Sequence, residues 1–171
     1  TMDVTPEEVQ EIGREMIADM HEAMAAIQAE MGFEGTAAEF RSFLLDNPDH
    51  YPRSPEEVSE RLLEAANDFY LRADELFPVK PAAPFGVRRL DPALEGSQTY
   101  GYYNPPTAVD PVGYYNFNGS RLDQRSWLPI KGLAYHELFP GHHFQIALQQ
   151  ENEDLHPYRQ NNFATAYTEG W

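Results

Sequence analysis

The sequence predicts a mainly α fold of the α+β class, in which a short β region lies between two helical parts. Helix-start signals recur through the first 77 residues, a tyrosine-rich section with proline turns follows, and helical spacing returns towards the C-terminus. We therefore expect one domain of three regions: helices at residues 1–77, a crossover with short strands at 78–125, and helices at 126–171.

The net charge and the missing cysteines exclude several kinds of partner and ligand. The 171 residues carry 12 Lys and Arg against 28 Asp and Glu, a formal net charge of −16. Nucleic acids and anionic membranes need basic surface, so neither is expected as a partner. No apolar run approaches about 20 residues, so no membrane span is predicted. Because cysteine is absent, any metal must be held by His and carboxylates.

Three helices are predicted in the N-terminal region. Residues 5–8 (TPEE) and 54–57 (SPEE) each combine an N-cap residue, a proline at the first helical position and an acidic first turn. Thr36 with Glu39 forms a capping box without the proline. Apolar residues at helical spacing form a stripe on the first helix: Ile12, Met16, Met20, Ala23 and Ile27. The third helix, predicted over about 55–77, is expected to carry Val58, Leu62, Ala65, Phe69 and Leu76 on its core side.

The middle of the chain favours turns and short strands. The run PVKPAAPFG, residues 78–86, cannot continue a helix and is predicted to cross over to the next region. Tyrosines around 100–103 and 114–117 suit short strands or a hairpin, with Asn-Pro-Pro and Asp-Pro as turns. Beyond them, helix is expected from near Trp127 to near Asn152 with an interruption, and again from near Pro157, where three aromatic residues are assigned to the core: Phe163, Tyr167 and Trp171.

The segment AYHELFPGHHFQ, residues 134–145, looks like a zinc-peptidase helix with altered spacing. In the usual H-E-x-x-H pattern two His lie one turn apart and a Glu follows the first. Here His136 and Glu137 are in place, but Pro140 occupies the second His position, and His142 and His143 come two and three residues later. On a regular helix the first of these is about 120° out of phase with His136 and the second about 10.5 Å further along the axis.

Two interpretations of Pro140 and Gly141 stay open on spacing alone. Proline removes the hydrogen bond that the His136 carbonyl would accept, and glycine tolerates unusual backbone angles, so the pair is able to bulge the helix and turn His142 towards a shared metal. A Pro-Gly pair also ends helices, and His-Glu pairs occur without metal. The segment HEAMA, residues 21–25, has such a pair without a second His, and we interpret it as helix surface.

Glu169 supplies the carboxylate that a three-ligand site needs. A hydrolytic zinc site takes about three protein ligands, an open position for water and a base. Glu169 lies on a separate predicted helix, 27 residues beyond His142. Three nearer carboxylates belong to a charged turn and are interpreted as solvent-exposed: Glu151, Glu153 and Asp154.

The segments LAYHELFPGHHFQ and NNFATAYTEGW together resemble a bacterial family catalogued as domain of unknown function 885. That family carries HExxPGHH followed by a helix with EGW. The upstream segments GYYNPP, GYYNFN and GFEGTAAEF also look like it, so the resemblance covers most of the chain. It implies a zincin-like metallopeptidase fold with an expanded HExxH; dipeptidyl peptidase III, with HELLGH, offers an analogy for such an insertion.

Carried over position by position, the resemblance implies Zn²⁺ bound by His136, His142 and Glu169. Glu137 would then be the general base for a metal-activated water that attacks a peptide or amide bond. His143 would be either a competing ligand or a contact near the metal or the substrate. The expected partner is accordingly a peptide or a small amide substrate.

The resemblance also implies a peptide-binding strand and a longer protein. The strand around residues 114–118 would lie beside the cleft and pair with an extended substrate, with Tyr115, Asn116 and Asn118 as substrate-binding residues. The family pattern continues past EGW, so we expect a longer protein whose C-terminal half completes the cleft. The native N-terminus is expected to lie outside this sequence as well, which leaves the compartment open.

Two other functions remain open from the sequence. One is a helical binding module that keeps the fold without catalysis. The other is a purely structural metal site, which would have a closed fourth ligand position.

Overall fold

The computed structural model describes residues 3–171, which divide into two compact units, one up to Pro48 and the other from Asp49 onwards. The predicted mainly α fold is confirmed, since helices dominate and the strands form one three-stranded sheet. Among the described residues, no helix combines the length and the apolar character that crossing a membrane requires.

The first unit contains the helices α1 (Pro6–Glu30) and α2 (Ala37–Leu45). Both predicted capping boxes are present, at Thr5 with Glu8 and at Thr36 with Glu39. Phe40 is buried and contacts the rings of Phe33 and Phe43. No residue of α1 is buried, and the members of its apolar stripe are largely about half exposed: Ile12, Met16, Met20 and Ile27.

The second unit holds the sheet and the remaining helices. Short 3₁₀ turns lie at Pro48–His50, Ala73–Glu75 and Leu122–Gln124. The elements of this unit are, in chain order, α3 (Pro55–Arg72), β1 (Phe85–Arg89), α4 (Pro92–Glu95), β2 (Gly101–Asn104), β3 (Gly113–Phe117), α5 (Ile130–Glu137), α6 (His142–Glu151), α7 (Pro157–Gln160) and α8 (Thr165–Gly170).

The sheet has the order β1-β3-β2, with β1 parallel and β2 antiparallel to the central strand β3. The two tyrosine-rich strands were predicted and are confirmed as β2 and β3. The strand β1 was not predicted, because it lies partly within the proline-rich crossover and ends in two arginines, which gives no alternation of apolar and polar residues.

The core of this unit lies where α3, α5 and α6 meet the sheet. Val58 and Leu62 of α3 pack with residues of β3 and of the histidine-bearing segment, among them Tyr115, Phe139 and Phe144. This packing holds the end of α5 and the start of α6 against the sheet, and so it fixes where the histidines lie.

The third predicted helix ends earlier than expected. α3 stops at Arg72, and the chain tightens into the 3₁₀ turn Ala73–Glu75. A 3₁₀ turn advances by about 120° per residue instead of 100°, which changes the side of the chain that faces inward. Ala73 is therefore fully buried, and Leu76, which the sequence placed in the core, is 68% exposed.

The last predicted helix is two short helices, α7 and α8, separated by residues 161–164. Side-chain amides take the backbone carbonyls that a continuous helix would use: Gln149 donates to the carbonyls of Arg159 and Asn162, and Asn161 donates to that of Pro157. The predicted burial of Tyr167 and Trp171 is wrong, since both are more than half exposed.

Candidate metal centre

A wide turn between α5 and α6 absorbs the two extra residues of the motif. α5 ends at Glu137, and α6 begins at His142. The N–H of Phe144 donates to the carbonyl of Leu138 at 3.2 Å, a span of six residues instead of the four of an α-helix. The Phe139–Pro140 peptide within the turn is cis.

Gly141 is required by the close approach of the backbone in this turn. A Cβ atom at this position would overlap the carbonyl groups of Tyr135 and His136. The glycine therefore lets the start of α6 lie directly against the end of α5. In this arrangement the imidazole rings of His136 and His142 lie 4.4 Å apart, centre to centre.

Three predicted ligands converge on one point. Glu169 Oε2 lies 3.5 Å from His136 Nε2, and Glu169 Oε1 lies 3.6 Å from His142 Nε2. One ligand atom from each of the three residues can be chosen so that all lie within 4.8 Å of one another. Two ligand atoms at zinc-bond length and at the tetrahedral angle lie about 3.3 Å apart, which is close to the two Glu169–His distances.

The cluster is accessible from one side. The side chains of His136 and Glu169 are 47% and 54% exposed, whereas that of His142 is 12% exposed. The three residues line a cavity of about 280 Å³, together with Phe69, Tyr135, Pro140, Gly141, Thr168 and Trp171.

Glu137 lies beside the cluster in a buried position. It is 8% exposed, and its Oε2 atom is buried without a hydrogen-bond partner. Burial, and secondarily the negative charge of Glu169, raise the pKa of Glu137 from 4.5 to about 7. Burial, and secondarily the charge of Glu137, raise the pKa of Tyr115. The carboxyl group of Glu137 thus interacts electrostatically with Glu169 of the cluster and with Tyr115 of the central strand, and one of its oxygens has no hydrogen-bond partner.

The surroundings favour a neutral imidazole at His142. Burial and the neighbouring His136 lower the pKa of His142, although the charge of Glu169 opposes this shift. A neutral imidazole has a free lone pair, which a metal ligand requires. The site therefore keeps a nitrogen of this residue available for a metal at neutral pH.

His143, the competing ligand candidate, points away from the cluster and is fully buried. Its Nε2 lies 3.0 Å from the carbonyl of Ala83, which can only accept, so Nε2 carries the proton. Nδ1 is then the acceptor for the Tyr103 hydroxyl at 2.9 Å. Burial lowers the pKa of His143 to about 4, which keeps it neutral. Of the two neighbouring histidines, only His142 joins the cluster.

The substrate-binding role assigned to β3 is wrong. β3 is the central strand, and its backbone is paired on both sides, so it offers no free edge to a peptide. Tyr115 is fully buried. Asn116 binds Arg88 and the carbonyls of Tyr102 and Tyr114, and Asn118 binds the carbonyls of Glu95 and Gln98.

Three residues make long-range contacts that were not predicted from the sequence. Glu151 is exposed, as interpreted, and also accepts hydrogen bonds from the N–H groups of Ala82 and Ala83, both at 2.9 Å. Tyr103 anchors His143. Trp171 contacts the wide turn. In the sequence, only its place in the EGW motif indicated that it lies near the site. The partners of all three are distant in sequence.

Comparisons with known proteins agree with the fold. The model of a family described as "Bacterial protein of unknown function (DUF885)" matches residues 1–171. A crystal structure described as "the putative lipoprotein from Colwellia psychrerythraea" is similar over 99% of this chain, with a TM-score of 0.90 and 26% sequence identity. The chain spans 30% of that protein's length. A comparison with curated proteins found no match.

Proposed function

From the premise that this chain belongs to the DUF885 family of bacterial proteins of unknown function, we propose that it carries the active site of a zinc-dependent hydrolase, a metallopeptidase of the zincin type. His136, His142 and Glu169 would hold the zinc ion, and Glu137 would be the general base. The substrate would be a peptide or another amide.

The observation that carries the proposal is the convergence of two histidines and a distant carboxylate beside a buried, unpartnered carboxyl group. Glu169 contacts both imidazoles at 3.5 and 3.6 Å, although it lies on another helix. An ion pair alone would account for these contacts. It would not account for Glu137, the residue after His136, whose Oε2 is buried without a hydrogen-bond partner.

The residues divide the chemistry between them. When bound, zinc would supply a Lewis acid that polarises a carbonyl group and lowers the pKa of water. Glu137 would accept a proton from the attacking water and later deliver it to the leaving nitrogen. The pKa of about 7 belongs to the metal-free chain; a cation bound by the three ligands would lower it and favour the carboxylate form that a general base requires.

The open cavity favours hydrolysis over a structural role for the metal. A structural zinc site is closed by four protein ligands, and here three converge beside a cavity of about 280 Å³. A module without catalysis would have no use for a buried carboxyl group with an unused oxygen, because such burial destabilises the folded chain.

The proposal is tested by zinc content and peptide hydrolysis measured side by side. Elemental analysis of the purified chain should give about one zinc per molecule, and His136→Ala should lose it. Glu137→Gln should keep the zinc and reduce hydrolysis of a mixed peptide library by at least about 100-fold, the usual contribution of a general base. Glu153→Gln, an exposed carboxyl group, is the matched control and should change neither quantity.

Each alternative predicts a different result. A folded chain that binds no zinc would contradict the metal site and favour the binding module. Stoichiometric zinc without hydrolysis, in this chain and in any longer protein that contains it, would favour a structural site. Full activity in Glu137→Gln would show that the base has been wrongly assigned.

A further inference from the structure

Trp171 connects the two parts of the chain that supply the ligands. Its indole Nε1–H donates to the carbonyl of Pro140 at 2.7 Å. Its ring stacks on Phe144, with 6.2 Å between the ring centres and 11° between the planes. Pro140 lies in the wide turn, and Phe144 lies in the first turn of α6. One side chain thus contacts both segments that flank His142.

The helix that carries Glu169 is short and exposed. α8 has six residues, none of which is buried, and its N-cap residue Ala164 makes no side-chain cap. A helix of this length is not stable by itself in water, so its position depends on tertiary contacts. Glu169 precedes Trp171 by two residues. A contact made by Trp171 therefore constrains the backbone that presents the carboxylate.

We propose that Trp171 is a positioning residue for the third metal ligand: it fixes α8 against the Pro140 turn and thereby holds the Glu169 carboxylate opposite His136 and His142. Tryptophan suits this role because its ring face stacks on Phe144 while its edge N–H reaches a carbonyl. The inference rests on the proposed function, because it assigns the role of a residue at the same metal site.

The decisive variant is Trp171→Phe, which keeps an aromatic ring for stacking and removes the donor to Pro140. Zinc dissociation constants are measured by competition with a chromophoric chelator. Groups that orient a metal ligand change metal affinity by about 10–100-fold, and we expect Trp171→Phe to raise the dissociation constant by about 10-fold. The matched control is Trp127→Phe, the same exchange at the other tryptophan, which packs under Arg61 and should leave the constant unchanged.

A double-mutant cycle separates positioning from general packing. If Trp171 acts through Glu169, Trp171→Phe should have no further effect on zinc affinity in a Glu169→Gln background. An equal effect in both backgrounds would mean that Trp171 acts on the turn or on the whole fold, and it would overturn the inference. An unchanged constant in the Trp171→Phe single variant would also overturn it.

A second measurement needs no metal, so it tests the positioning role of Trp171 even if the proposed zinc site is wrong. Hydrogen exchange of the α8 amides, followed from milliseconds to seconds in the metal-free protein, should be faster in Trp171→Phe, and the α6 amides should be unaffected. If the wild type binds no zinc, the proposed function fails. Faster exchange confined to α8 would still support the positioning of this helix, and unchanged exchange would overturn it.

Discussion

The amide of Phe144 reaches back six residues to the carbonyl of Leu138, at 3.2 Å, and this bond closes the turn that brings His142 beside His136. In a regular HExxH helix the two histidines share a face because they are four residues apart. Here they are six apart, and the wide turn takes up the difference. The expanded spacing is thus compatible with a single binding point.

Gly141→Ala should disrupt this turn. The new Cβ atom would overlap the carbonyl groups of Tyr135 and His136, which belong to the backbone of α5 and cannot move independently. We expect a loss of about 1–3 kcal/mol in the free energy of unfolding, the usual range for overpacking, and a weaker zinc site. Denaturant unfolding and zinc titration measure the two effects.

Gly132→Ala is the control for this variant. Gly132 lies within α5, and a Cβ atom there would meet nothing within 4 Å. Alanine has a higher helix propensity than glycine, so this substitution should stabilise the chain by up to about 1 kcal/mol. Equal effects of the two substitutions would contradict the steric role given to Gly141.

Substitution of the neighbouring histidines should have opposite consequences. His142→Ala removes a proposed ligand from the edge of the cavity, so the chain should stay folded and lose its zinc. His143→Ala leaves the Tyr103 hydroxyl and the Ala83 carbonyl without their buried partner, which should lower the unfolding free energy by about 2 kcal/mol or more. Its folded fraction should keep zinc.

His143→Gln keeps a donor and an acceptor and should recover part of the lost stability. Zinc content per folded molecule and thermal unfolding check both statements. Loss of zinc from folded His143→Ala, with retention in His142→Ala, would transfer the ligand role to His143.

Stability of the metal-free protein should fall between pH 4.5 and pH 7 because of Glu137. Its pKa is raised to about 7 in the folded chain, so the folded state holds this proton more tightly than the unfolded state does. The stabilisation is complete below about pH 4.5 and is lost as the pH rises through 7. The difference between the two pKa values corresponds to about 3 kcal/mol.

Glu137→Gln should remove this dependence, since an amide does not ionise. The gain in unfolding free energy of Glu137→Gln over the wild type should therefore be small at pH 4.5 and approach about 3 kcal/mol at pH 8. Denaturant unfolding in the presence of a chelator measures it. A gain that does not change with pH would contradict the burial of an ionisable group at this position.

Glu151→Ala should destabilise the fold without weakening zinc binding. Both carboxylate oxygens accept backbone hydrogen bonds, from Ala82 and Ala83 at 2.9 Å, and their loss should lower the unfolding free energy by about 1–2 kcal/mol. Glu151 is the last residue of α6, whereas His142 is the first, so the site should be unaffected. Glu153→Ala is the control, and an equal loss of stability in both variants would contradict the contact.

Much of the fold was predictable because the deciding signals are local. The capping boxes at Thr5 and Thr36 use residues three positions apart, and the strands β2 and β3 have the tyrosine-rich composition that a sheet favours. The failures have different causes. Leu76 is exposed because the chain tightens locally, after Arg72. The last helix is split because Gln149, on the preceding helix, takes carbonyl groups of this later segment.

The sequence by itself determined the helical class, the absence of thiolate ligands and the candidate set of His136, His142, His143, Glu137 and Glu169. Spacing on a regular helix could not choose between the two later histidines. Tertiary structure decided that His142 faces Glu169 and that His143 is held by Tyr103 and Ala83. It also placed β3 at the centre of the sheet. The reason is physical. A helix cap or a strand preference depends on residues a few positions apart, whereas a site that joins His142 to Glu169, 27 residues later, depends on which surfaces pack together.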